Sequence, residues 1–230
     1  DIPLKAHTEA ILPGKSATYK ATGLTEGKKC SVCGTVTVAQ KKVARKKLKK
    51  VTSLKVKSVT TSTVKLSWKK VTGAESYKVY YSTNGKKWKS VKTAKTTLTV
   101  KKLSSGTSYQ FKVKAFAGKY YGTVSSVVKT ATKVKKVTLK SVKSSKKAQA
   151  TVSWNKVTGA SGYVVEYSTS KKFTKKTTKK ATLKKGASKK TTLKKLKCGK
   201  KYYVRVRAYK TVNGKAVYGA YSSVKTVKVK

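Results

Sequence analysis

The stretch from Trp68 to Thr83, WKKVTGAESYKVYYST, occurs a second time as WNKVTGASGYVVEYST from Trp154 to Thr169. Each matched position lies 86 residues after its counterpart, so one structural unit is present twice. A repeat of this length limits the chain to architectures assembled from copies of one module. The unit itself has a readable pattern. Val64, Leu66 and Trp68 alternate with Lys65 and Ser67, the two-residue period of a half-buried strand. Val-Thr-Gly-Ala breaks the run as a turn, and Tyr77, Val79 and Tyr81 then alternate with Lys78 and Tyr80. Strand, turn and strand with Trp and Tyr on one face predict the inner surface of a two-sheet sandwich.

The rest of the chain falls around this unit. The first repeat is expected over 51–132 and the second over 133–230. Each has a long alternating strand in its closing half, and Val124 to Thr132 closes the first. In the first, Tyr109, Phe111, Val113 and Ala115 share one face, while Gln110, Lys112, Lys114 and Phe116 share the other. In the second, Tyr202, Val204, Val206 and Ala208 face in, and Tyr203, Arg205, Arg207 and Tyr209 face out. Trp68, Tyr77, Tyr109, Trp154, Tyr163 and Tyr202 are the predicted core aromatics. Trp88, Tyr80, Tyr120, Tyr121, Tyr203, Tyr209 and Tyr218 are candidates for exposure, either stacking a ligand or packing on lysine stems. The Lys- and Thr-rich run from Lys171 to Lys195 still permits short strands around Phe173, Leu183 and Leu193.

Residues 1–50 are different in kind. Only Gly34 to Ala39 reads as a strand, and KKVARKKLKK reads as a short helix or an extended linker. Cys30-Ser-Val-Cys33 has the spacing of half a zinc knuckle, with His7 as a third candidate ligand. A local disulfide or a pair of thiols fits the same spacing. Cys198 falls in a turn where the first repeat has Ser105, and reads as a surface thiol.

Charge then narrows the function. The chain carries 59 Lys and Arg against 5 Asp and Glu, a formal net charge of +54. With so few carboxylates, the lysines repel one another, and salt or a polyanion relieves that repulsion. Lysine greatly outnumbers arginine, which favours diffuse attraction over recognition of one anion geometry. The outward cations Lys112, Lys114, Arg205 and Arg207 are the candidate polyanion contacts. Catalysis has little to work with. The single histidine lies outside the repeats, Glu75 aligns with Ser161, and Glu166, predicted outward, aligns with Tyr80. No apolar run is long enough to span a membrane as a helix.

Each repeat resembles a fibronectin type III domain. The resemblance rests on Trp68 and Trp154, on Tyr77 and Tyr163 opening the next strand, and on Leu103 with Tyr109 and Leu196 with Tyr202. The last pairs match the family's tyrosine corner, whose hydroxyl bonds back to the backbone. FKVKAF and VRVRAY continue the pattern. Prolines usual after the tryptophan are replaced by KKV and NKV, and the RGD adhesion tripeptide is absent. The resemblance implies an all-β chain of two tandem immunoglobulin-like sandwiches after a small cysteine-containing segment. The lysine-dense version is similar to modules of large secreted proteins of Gram-positive gut bacteria, and GLTEGKKCSVCG is similar to a small repeat of such proteins. That repeat carries Cys where Tyr19 stands and His where Lys29 stands, so two potential ligands are missing. Export and wall association follow from this likeness as expectations. Three functions remain: an adhesive spacer on anionic polymers of the wall or host, a sequence-blind nucleic-acid binder, and an accessory carbohydrate-binding region of a larger secreted enzyme. Unpaired sandwich edges also allow self-association.

Overall fold

The computed structural model describes residues 8–230, and every regular element among them is a β-strand. The amino-terminal unit holds β1 (Glu9–Leu12), β2 (Gly23–Leu24), β3 (Gly27–Cys30), β4 (Val36–Val38) and β5 (Lys42–Val43). Strands β1, β3 and β4 form one small sheet, and β2 pairs with β5. The single strand expected here is thus joined by four others. Their sequences lack apolar alternation, and main-chain pairing with a few polar side-chain contacts holds them. Lys28 Nζ reaches Glu9 Oε2 at 2.7 Å, and the Gln40 amide donates to the carbonyls of Pro13 (2.8 Å) and Thr25 (3.1 Å). The basic connector forms no helix. It runs extended and buries Leu48 in the first sandwich.

The first sandwich contains β6 (Lys55–Val59), β7 (Val64–Ser67), β8 (Ser76–Ser82), β9 (Lys89–Thr93), β10 (Thr97–Val100), β11 (Ser108–Ala117), β12 (Tyr120–Tyr121) and β13 (Val128–Ala131). Its narrow sheet is ordered β10-β7-β6. In the wide sheet, β11 pairs with β8, β12 and β13, and β9 lies outside β8. The second sandwich repeats this with β14 (Leu139–Lys143), β15 (Ala150–Trp154), β16 (Gly162–Ser168), β17 (Thr178–Leu183), β18 (Lys190–Leu193), β19 (Lys201–Val212), β20 (Lys215–Tyr218) and β21 (Lys225–Lys228). Its sheets run β14-β15-β18 and β17-β16-β19-β20, with β21 on the free side of β19.

Two separate hydrophobic clusters fill the two sandwiches. Trp68 meets Tyr77 edge-on with ring centroids 5.4 Å apart, and Trp154 meets Tyr163 at 5.2 Å. The hydroxyls of Tyr77 and Tyr163 accept the N–H of Val71 (2.9 Å) and Val157 (2.8 Å), six residues upstream in both cases. These bonds satisfy donors that the Val-Thr-Gly-Ala turn would otherwise bury unpaired. Tyr109 and Tyr202 do the same for the following turn, accepting from Ser104 (3.0 Å) and Lys197 (3.2 Å).

The glycine of the repeated turn has a second use. Gly73 and Gly159 adopt φ of +79° and +80°, a left-handed conformation that glycine enters without strain. The ring of Tyr19 lies directly over Gly73, and Lys20 pairs with Glu75 beside it. Gly159 instead receives Gly106 of the first sandwich, so closely that a Cβ would stand 2.6 Å from the Gly106 carbonyl oxygen. The same socket therefore seats the preceding unit twice. At the end of the first sandwich, beside this junction, Thr132 donates to the Ser104 carbonyl at 2.6 Å.

Candidate functional site

No lysine among the described residues is buried, so the positive charge lies on the surface. The outer faces of the two wide sheets carry the four cations singled out from sequence, in two different settings. On the first, Lys112 stands across from Tyr80 and Lys114 across from Lys78. Lys112 Nζ sits 3.9 Å from the ring centroid of Trp88, and Lys114 Nζ sits 4.2 Å from that of Tyr121. Ring and ammonium attract through the ring quadrupole, which holds each lysine upright without removing its charge.

On the second face, Glu166 stands across from Arg205 and Val164 across from Arg207. Glu166 belongs to the outward set but is only 2% exposed, which corrects the expectation that it faces solvent. Arg205 covers it with Nε at 2.9 Å and Nη2 at 2.6 Å from one oxygen, and Lys180 Nζ lies 3.3 Å from the other. Burial pushes the Glu166 carboxyl up. Hydrogen bonds from Tyr221, Arg205 and Lys180, with the Arg205 charge, outweigh that and hold it below its ordinary value. Arg205 is also stacked between Phe173 (4.1 Å) and Tyr221 (3.9 Å), and Arg207 lies on Tyr218 at 3.8 Å. Arg205 is thus committed inside the protein, whereas Lys112 and Lys114 have no carboxylate on their sheet.

The exposure candidates divide as well. Tyr121 and Tyr218 are exposed, and Trp88, Tyr80, Tyr120 and Tyr203 are half-buried. Tyr209 is buried, contrary to expectation: its hydroxyl donates to the Leu183 carbonyl at 3.3 Å above the bare backbone of Gly162. Trp68, Tyr77, Tyr109, Trp154, Tyr163 and Tyr202 all lie in the two cores.

Sequence reasoning did not find two surface clefts. One, of about 430 Å³, opens between the β8–β9 and β10–β11 turns and is lined by Tyr81, Trp88, Tyr109, Lys87, Lys89 and Lys102 among others. The second, about 520 Å³, lies at the junction of the sandwiches and includes Lys135, Lys136, Asn155 and Lys156. The signal that was available was Ser82-Thr-Asn-Gly-Lys-Lys-Trp88, a tight turn ending on an aromatic.

At the amino-terminal pair, Cys30 is buried and Cys33 exposed. The Cys33 N–H points at the Cys30 sulfur at 3.5 Å, and the Cys33 thiol donates to Thr35 Oγ1 at 3.2 Å. The N–H groups of Cys33 and Val32 hold the Cys30 thiol below its ordinary value. His7 lies outside the described residues. Among the described residues, no three of His, Cys, Asp and Glu gather where they could hold a metal ion.

Two sandwiches with this strand order, the paired tyrosine-to-backbone bonds and the tryptophan–tyrosine cores agree with the comparisons. The fibronectin type III domain profile matches residues 49–131 and 133–224. The chain belongs to the fibronectin type III family. A two-domain fibronectin type III segment of chicken tenascin is 21% identical, covering 78% of this chain and 99% of its own, with a TM-score of 0.50. The FN1–FN3 domains of chicken CNTN1 are 20% identical, covering 91% of this chain and 77% of their own, with a TM-score of 0.41. Among curated protein sequences, none matches the chain. Fibronectin type III modules are typically non-catalytic, extracellular structural or adhesive domains, and the residues before 49 lie outside the matched segments. No helix among the described residues is long and apolar enough to cross a membrane.

Proposed function

We propose that the chain is a non-catalytic, extracellular spacer whose fibronectin type III sandwiches associate electrostatically with anionic polymers. Teichoic acids of a Gram-positive wall and acidic host glycans are the ligands that fit, and the cell surface is the setting that the lysine-dense sequence resembles. The observation that carries this reading is a net charge of +54 borne by lysines of which none among the described residues is buried. No acidic residue lies between Glu75 and Glu166, so the first sandwich beyond Glu75 has no carboxylate of its own to neutralise it. A polyanion binding there releases counterions, and its affinity falls steeply with salt.

Nucleic acid meets the same charge without base-reading groups, so its binding is sequence-blind. Self-association through edges has lysine against it: β9 and β17 carry Lys89, Lys92, Lys179 and Lys180. The test is retention on isolated Gram-positive wall, heparin and DNA across a salt series. We expect binding to all three that weakens linearly on a log–log plot. Salt-insensitive binding to a neutral glycan, or no retention even at low salt, would overturn the reading.

A further inference from the structure

We propose that the Trp88 cleft and the neighbouring junction cleft together form one track for an anionic oligosaccharide, with a sugar ring on Trp88. This rests on the polyanion reading and names where and by what chemistry the ligand is held. The aromatic platform is built rather than incidental. Ser82 Oγ accepts the N–H of Gly85 at 3.0 Å, and Asn84 Oδ1 accepts those of Lys86 (2.9 Å) and Lys87 (3.1 Å). The indole N–H then donates to the Gly85 carbonyl at 2.8 Å, which fixes the ring edge. Across the cleft, Tyr109 is pinned through its bond from Ser104. A volume of about 430 Å³ is in the range of small-ligand sites.

Its rim supplies charge of one sign. Lys87, Lys89 and Lys102 line the cleft and are all exposed, and Lys112 adds an ammonium group against the indole. Ser104 is a wall of both clefts, so a chain leaving Trp88 passes it and meets Lys135, Lys136 and Lys156 at the junction. A bare polyphosphate uses the lysines and gains nothing from the indole. A sugar stacks its C–H face on the ring while its sulfate or carboxylate groups pair with ammonium. The pairing of ring and charge is what selects an acidic saccharide. In the second sandwich, Phe173 is the aromatic of the corresponding turn, and Arg205 covers it while bound to Glu166.

The whole chain should be titrated with a heparin-derived hexasaccharide, a neutral chitin hexasaccharide and a short polyphosphate, following tryptophan emission. Trp68 and Trp154 are buried, so a saturable change reports Trp88. We expect it with the sulfated sugar alone. By calorimetry, Trp88→Ala should bind that sugar roughly tenfold more weakly, the size of an aromatic stacking loss. Lys135→Ala with Lys136→Ala should reduce the salt slope by about two. Should Trp88→Ala unfold, the emission change in the native chain decides. Unaltered emission, undiminished affinity in a folded Trp88→Ala chain, or an equal response to polyphosphate would overturn the track while polymeric heparin is still retained. Loss of heparin retention itself would remove the broader function as well.

Discussion

On the first wide sheet the outward row is Lys112 and Lys114, with Tyr80 beside them; on the second it is Arg205 and Arg207, with Glu166 in the place of Tyr80. Two exchanges, aromatic for carboxylate and lysine for arginine, change what the cations do. Against Glu166 the arginine fork closes, and a charge on the outer face is buried. Against Tyr80 and Trp88 the lysines are steadied by rings and keep their charge toward solvent. The two sandwiches repeat the same core pattern and differ in how much of their charge a ligand can use. Exchange between the faces should change how much charge each leaves open to a ligand.

The largest effect is expected at Glu166. Glu166→Gln keeps the shape, removes the charge and leaves Arg205 over a neutral amide. Breaking a buried ion pair from one side costs about 3 kcal/mol, at the low end of such losses because Lys180 and part of Arg205 can rehydrate. Urea denaturation followed by tryptophan emission measures it, and a loss indistinguishable from zero would contradict the description of the pair. The pH dependence sharpens the test. Because the folded carboxyl titrates below its ordinary value of 4.5, the unfolded chain binds more protons in that range. The stabilisation is complete above the ordinary value and disappears as pH falls through the lower folded one. That acid-sensitive component should be missing from Glu166→Gln and present in the native chain.

A second contrast concerns the two glycine sockets. At Gly159 a methyl group would meet the Gly106 backbone, which cannot swing aside; at Gly73 it would meet the Tyr19 ring, which can. Both replacements also place alanine in the left-handed region, a cost of about 1–2 kcal/mol. Gly159→Ala should therefore loosen the junction between the sandwiches beyond that strain, and Gly73→Ala should stay near it. Small-angle scattering of the two variants distinguishes them: a broader distribution of lengths is expected for Gly159→Ala only. Equal effects would mean that the shared position is a turn requirement and not a socket.

How much of this was legible in the sequence depends on how local the cause is. Strands β7 and β8 and their repeats were readable because period-two alternation and a Gly turn sit within a single stretch from Val64 to Tyr81. The fold class followed from it. Burial of Glu166 was not readable, because its cover comes from β17, β19 and Tyr221, which sequence spacing does not bring together. Parity alone places Tyr209 on the outer face, but parity says nothing about the missing Cβ of Gly162 beneath it. Strand β3 carries Lys28 and Lys29 where alternation would need an apolar residue, so main-chain pairing and Gln40 define its sheet instead. The Trp88 cleft joins two turns, and only the folded sandwich puts them side by side.

The smallest change in stability, and the most direct test of the comparison, is the reverse graft Tyr80→Glu. Tyr80 lies across from Lys112 on one side and Ser90 on the other, half-buried rather than covered. Lys78 and Lys112 hold ammonium groups 5.6 and 6.0 Å from its ring centroid, close enough for either to meet a carboxylate. Such a pair differs from Glu166 in two ways: water reaches it, and lysine offers a mobile point charge in place of a fork. Partly exposed pairs contribute about 0–1 kcal/mol, and loss of the ring's packing offsets that, so the unfolding midpoint should barely move. The consequence falls on binding. A carboxylate in the middle of the lysine row neutralises it from within, as Glu166 does for Arg205, and the heparin elution of Tyr80→Glu should shift to lower salt. An unchanged elution would mean that this face of the first sheet, for all its unpaired lysines, is not where the polymer lies.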